Sequence, residues 1–335
     1  MSASSRRATA LPVSLHEDRI EAARRRIPPP ATGRRIGRLL ADTTRLYAQY
    51  WRTFLPAVLL LEFPLLILKT AGAVALDPGP AALSVPYVAR ALPFLVVLNG
   101  LDLLEALVAF VLMGIVARQV VDAFRGQPTA LAGAFHAVLP RLWDLLGGSV
   151  LLLASVGLLT LVGVFLVSVL TLVFVVIAAG PGGLAGALAR GLADQSTDLW
   201  LNLALLLPIV GLVLFLVVKW SLMVQVVVLE AGSPWGALRR SWRLVRGSFW
   251  RVLGTLLLGA LPLTLLQNGP TLVQTFSFGD VGPSRGAAMA VFYALALALR
   301  LLILPWMLVL VTLLYFDLRA RHGEPPLALD AQPPT

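Results

Sequence analysis

The chain has 335 residues, of which 58% are hydrophobic and only 13% are charged, and its mean hydropathy is +0.86. A soluble domain averages about 25% charged residues, so the composition excludes an ordinary soluble enzyme domain and places most of the chain in lipid. The net charge is +10; in a soluble protein this would suggest nucleic acid, but in a membrane protein basic loops set the topology, and no nucleic-acid partner is expected.

Of the 27 basic residues, only Lys69 and Lys219 are lysines. The chain has no cysteine, so it forms neither disulfides nor thiolate metal sites. His16, His136 and His322 are too far apart in sequence to form a ligand motif, and no metal or cofactor is expected.

Residues 1–33 are rich in arginine and end near Pro28-Pro29-Pro30, which reads as a disordered cytoplasmic tail with a short charged helix over His16 to Ile27. Arg6 and Arg7 run into polar sequence without an apolar core, so this stretch is not a signal peptide. A membrane domain follows over residues 34–323, and a short disordered tail over 324–335.

Six spans are expected, at 53–76, 91–117, 146–179, 199–229, 252–274 and 287–317. The longer ones must tilt, kink or begin in the interface, and Pro208 and Pro305 are the candidate kinks. Gly180-Pro181-Gly182-Gly183 lacks the strand–turn–helix setting of a phosphate loop and reads as a turn.

One pattern occurs three times. An amphipathic helix runs into a span, the chain turns, and a return span ends in an acid followed by Gly-x-Pro: Asp122 to Pro128, Glu230 to Pro234, Asp317 to Pro325. The predicted fold is all-α, with six spans in three pseudo-repeated hairpins, each preceded by an interfacial helix.

The third amphipathic segment places Trp235, Leu238, Trp242, Val245, Phe249 and Val252 on one apolar stripe. Arg239, Arg240, Arg243 and Arg246 fall off that stripe as a candidate contact for anionic lipid. The alternative is a packing elbow whose arginines only fix topology.

The second segment repeats the spacing with Leu131, Phe135, Val138, Leu142 and Leu145; the first, built on Ile36, Leu39, Leu40, Leu46, Tyr47 and Tyr50, is looser. A shift of 107 residues lays Phe135 on Trp242 and Trp143 on Trp250. Trp51, Trp143 and Trp250 stand just before the three outgoing spans, where indole favours the interface.

The loops on the side of the termini carry the arginine excess, whereas the opposite loops hold Arg90, Arg190 and Arg285 against Asp77, Asp194, Asp198 and Asp280. Both termini are therefore expected in the cytoplasm of a bacterial inner membrane, the arginine, alanine and leucine bias fitting a GC-rich genome.

Glu62, Lys69, Asp102, Glu105, Lys219 and Arg300 lie inside the expected spans, where charge is costly and normally faces the bundle interior. Depth counting at a rise of ~1.5 Å per residue puts Glu62, Glu105 and Lys219 in a middle layer. Lys69, Asp102 and Arg300 fall nearer the outer face. The expected pairs are Lys219 with Glu62 or Glu105, and Asp102 with Arg300 or Lys69. Such pairs either fix the register of the bundle or line a polar pathway. Lys69 and Arg300 alternatively snorkel to the interface.

The segment Glu230 to Gly254, containing Ser233-Pro234-Trp235 and Arg239-Arg240-Ser241-Trp242-Arg243, resembles the signature of a bacterial membrane family. So do Leu313-Leu-Tyr-Phe-Asp-Leu-Arg-Ala-Arg-His-Gly323 and the weaker opening Ile36 to Tyr47. Together they resemble the six-span membrane domain attached to some glycerophosphodiester phosphodiesterases and found alone in uncharacterised proteins. The resemblance covers about residues 34–323 and implies an accessory or anchoring role. The chain lacks the catalytic domain of the fused members, so hydrolysis does not carry over.

The expected function is that of a non-enzymatic scaffold or accessory element contacting anionic phospholipid or a partner protein. The alternative is a transporter or flippase-like carrier of a lipid or amphiphile that uses the intramembrane charges.

Overall fold

The computed structural model describes residues 33–75, 85–126, 131–179, 195–230, 232–276 and 283–325. The segments expected at 1–32 and 326–335, the charged helix at His16 to Ile27, and the turn at Gly180 to Gly183 lie outside these.

Among the described residues every regular element is helical. In chain order they are α1 (Ile36–Ala75), α2 (Val85–Phe124), α3 (Leu131–Val138), a 3-10 turn (Leu139–Arg141), α4 (Leu142–Ala179), α5 (Gln195–Trp220), α6 (Met223–Glu230), α7 (Pro234–Val245), α8 (Phe249–Phe276) and α9 (Pro283–Arg321). Among the described residues six stretches are long and apolar enough to cross a membrane: Ile36–Lys69, Asn99–Phe124, Leu131–Phe174, Ala204–Glu230, Phe249–Leu266 and Ala294–Arg321. The chain is thus an all-α, multi-pass membrane protein.

Consecutive long helices pack on each other: α1 on α2, α4 on α5, and α8 on α9. Helix α9 also packs along α1, and α2 meets α3, α4 and α6. At one seam the helices approach closely because Gly163 of α4 faces Ile209 of α5, where a Cβ would come within 2.6 Å of Cγ2.

Each amphipathic segment joins its following helix through a break. In α1 the break is Tyr50, with φ −121° and ψ 21°. Between α3 and α4 it is the 3-10 turn, which contains Pro140 and its missing N–H. Between α7 and α8 it is Gly247, at φ 82°, a conformation that favours glycine. Trp51, Trp143 and Trp250 follow the three breaks and are all exposed. Pro208 and Pro305, the candidate kinks, lie inside α5 and α9.

The expected span 199–229 is interrupted at Ser221-Leu222. Ser241 of α7 accounts for the break: its hydroxyl donates to the Lys219 carbonyl at 2.8 Å and accepts the Leu222 N–H at 3.2 Å. A side chain thus satisfies two backbone groups that a continuous helix would pair internally.

Burial is concentrated at one end of the bundle. Leu39, Phe54, Ile115, Leu145, Leu222, Leu244 and Tyr315 are among the fully buried residues there. The other halves of the long helices expose Leu60, Leu161, Phe165, Val210, Leu261 and Val291. This is the surface that acyl chains would cover.

Candidate functional site

The buried end is held by the acids that close the three return segments. Asp317 is fully buried and receives Arg251 at 2.9 Å and Arg321 at 3.0 Å. The Arg34 N–H also donates to it at 2.5 Å. Arg251 and Arg321 both donate to the Arg34 carbonyl as well. The first and last described segments therefore meet at one end.

Glu230 accepts from Tyr315 Oη at 2.6 Å, Arg319 at 3.1 Å and Arg240 Nε at 3.0 Å. Glu324 pairs with Arg240 and, at 3.2 Å, with Arg319. Asp122 is flanked by Arg118 at 3.5 Å and Arg125 at 3.2 Å. Arg141 donates to the Val227 and Val228 carbonyls, capping the end of α6. The sequence pattern singles out the three acids as punctuation but assigns them no partners. Their recurrence on a side rich in arginine was the available signal.

Five of the six intramembrane charges come together between α1, α2 and α9. Lys69 pairs with Asp102 and, at 2.9 Å, with Glu105. Arg300 pairs with Glu105 and reaches Glu62 at 3.8 Å. Asp102 is joined to Lys69, one of its two expected partners, while Arg300 goes to the glutamates. The two expected layers are one cluster with three carboxylates and two cations.

Lys219 stands apart from that cluster, which corrects its expected pairing with Glu62 or Glu105. Its side chain is buried, and among the described residues no carboxylate lies within ion-pairing distance. Its ammonium sits over the rings of Trp242 at 5.1 Å and Phe215 at 5.5 Å. It adjoins the break between α5 and α6.

The arginines of α7 separate by role. Arg240 is engaged by Glu230 and Glu324; burial works against its charge, but the two carboxylates outweigh it and raise its pKa above the ordinary arginine value. Its place in the expected lipid-contact quartet is therefore corrected: it is an internal anchor. Arg239, Arg243 and Arg246 are exposed, and among the described residues none forms an ion pair.

The buried face of α7 is Ala237, Leu238, Ser241, Leu244 and Val245. Trp235 and Trp242, placed on the apolar stripe by spacing, are exposed at 55% and 37%, beside the arginines rather than in the core. The matching positions one repeat earlier behave alike: Phe135 is exposed, as is Trp242, while Val138 and Val245 are buried.

A groove of about 580 Å³ opens here, lined by Trp220, Trp235, Leu238, Arg239, Trp242 and Arg243. The Arg239 guanidinium lies over the Trp235 ring at 5.5 Å. Trp242 meets Phe215 edge-on at 5.6 Å, which fixes the wall of the groove. Two guanidinium groups set among indoles suit an anionic group attached to an apolar body.

Among the described residues no group of three or more His, Cys, Asp or Glu is arranged to hold a metal ion. In comparisons with known proteins, no family model, curated protein or solved structure matches the chain. The resemblance to the phosphodiesterase membrane domain is thus unsupported by any match, and the multi-pass all-α architecture is what stands.

Proposed function

We propose that the chain is a non-enzymatic inner-membrane protein that organises anionic lipid, or a partner protein, at its arginine-rich end. In this reading that end faces the cytoplasm, and the six spans are three repeated hairpins with α3, α7 and the start of α1 lying in the interface. The observation that carries it is the division of labour on α7, where Arg240 is consumed internally while Arg239, Arg243 and Arg246 face outward without carboxylates. Unpaired arginines beside exposed tryptophans are the combination that anionic head groups attract.

The test is to extract the protein in native-lipid particles and compare its lipids with the bulk membrane. Wild type should be enriched in anionic phospholipid, and a triple Arg239→Gln, Arg243→Gln, Arg246→Gln variant should return to the bulk profile. A bulk-like profile for both would reject the lipid role and redirect attention to protein partners.

A second reading, a carrier for a lipid or amphiphile, is favoured by the cluster of Glu62, Lys69, Asp102, Glu105 and Arg300. It is also favoured by the broken helix beside Lys219, since transporters place sites at such breaks. In a carrier, Lys219→Met abolishes lipid movement across reconstituted vesicles with the fold intact. In a scaffold the wild type itself leaves lipid movement at the protein-free rate, and Lys219→Met changes only stability.

A further inference from the structure

Trp235, Leu238, Arg239, Trp242 and Arg243 follow i, i+3, i+4, i+7, i+8 spacing, so one face of α7 forms most of the groove. Arg239 and Arg243 are four apart on that face, where like charges disfavour the helix unless an anion lies between them. Lys219 is 7% exposed and lies against Trp242, the residue that forms the groove wall. A buried cation with no carboxylate is costly, so this region carries a standing deficit of negative charge.

The apolar part of the ligand is indicated by α5. Val210, Leu214 and Val217 are exposed, follow i, i+4, i+7 spacing, and lead to Trp220 at the groove. Trp220 thus stands where a head-group site meets a track for a hydrocarbon chain.

We propose that this groove binds one anionic phospholipid, its phosphate held by Arg239 and Arg243, its glycerol region against Trp220, Trp235 and Trp242, and an acyl chain along Val217, Leu214 and Val210. The proposal rests on the lipid-organising reading above and narrows it from an attraction of the whole face to one built site. Guanidinium groups match phosphate oxygens in a bidentate fork, and Trp235 already holds the Arg239 fork in place.

The test uses the full-length protein, delipidated in detergent and titrated with phosphatidylglycerol or phosphatidylcholine, with bound lipid counted by native mass spectrometry. One phosphatidylglycerol should be retained per chain, and Arg239→Gln with Arg243→Gln should weaken it by about tenfold or more, the scale of losing a charge-assisted hydrogen bond. Trp235→Ala, at an exposed position whose loss spares the core, should also weaken it, whereas Arg246→Gln, outside the groove, should not.

Equal retention of the two lipids by wild type would overturn the site. A loss with Arg246→Gln as large as with the pair would replace the site by a diffuse field and leave the broader reading standing. Displacement by soluble glycerol phosphate as effectively as by the lipid would remove the acyl track. Unchanged thermal unfolding of the variants establishes that a loss of lipid is not a loss of fold; if the paired variant unfolds, Trp235→Ala alone decides.

Discussion

Asp317 shows how a single carboxylate ties the chain together. It is fully buried and takes two guanidinium groups and a backbone N–H drawn from three parts of the sequence. Removing one partner of a buried ion pair costs about 3–5 kcal/mol, because the remaining charge is left uncompensated. Asp317→Asn should therefore lower the thermal midpoint of the solubilised protein sharply. Arg239→Gln, at an exposed position with no carboxylate, should change stability by no more than about 0.5 kcal/mol. Similar midpoints for the two variants would show that the acid is no anchor.

Of the expected pairings of the intramembrane charges, Asp102 with Lys69 is present, whereas that of Lys219 with Glu62 or Glu105 is not. Counting residues along a helix gives depth, yet a contact also needs the rotation of each helix and its place in the bundle. Glu62 and Lys219 have similar depths by count, but Lys219 turns towards Trp242 on α7.

Among the elements, the three amphipathic segments were legible from spacing, although their exposed and buried edges were not. Periodicity locates an apolar arc, and Trp235 and Trp242 lie at its margin. There an amphipathic indole can face outward as readily as inward.

The break between α5 and α6 left no clear mark in the sequence, because its cause is Ser241, 20 residues beyond Ser221. Ser241→Ala strands the Lys219 carbonyl and the Leu222 N–H. Each buried group left without a partner costs about 1–3 kcal/mol. The expected result is a lower unfolding midpoint, accompanied by faster amide exchange at Leu222 than at Val226. Native-like exchange at Leu222 would mean that the break holds without Ser241.

For the molecule as a whole, six candidate spans and the meeting of Arg34 with Asp317 put both ends of the described chain on one side. In the proposed orientation the arginine excess places that side in the cytoplasm. The absence of native cysteine makes this assignment testable with single probes. Ser4→Cys and Gln332→Cys should resist a membrane-impermeant maleimide in intact cells and react after permeabilisation. Labelling of both in intact cells would reverse the orientation, and labelling of one alone would reject an even number of spans.

The membrane class, the six candidate spans and the basic side of the bundle were legible in the sequence alone. They depend on stretches about 20 residues long and on summed charge, which are one-dimensional quantities. The division of the α7 arginines, the five-membered ionic cluster, the isolation of Lys219 and the groove between Trp220 and α7 were decided by tertiary structure. Each depends on which faces of separate helices meet, and that is fixed by packing in three dimensions.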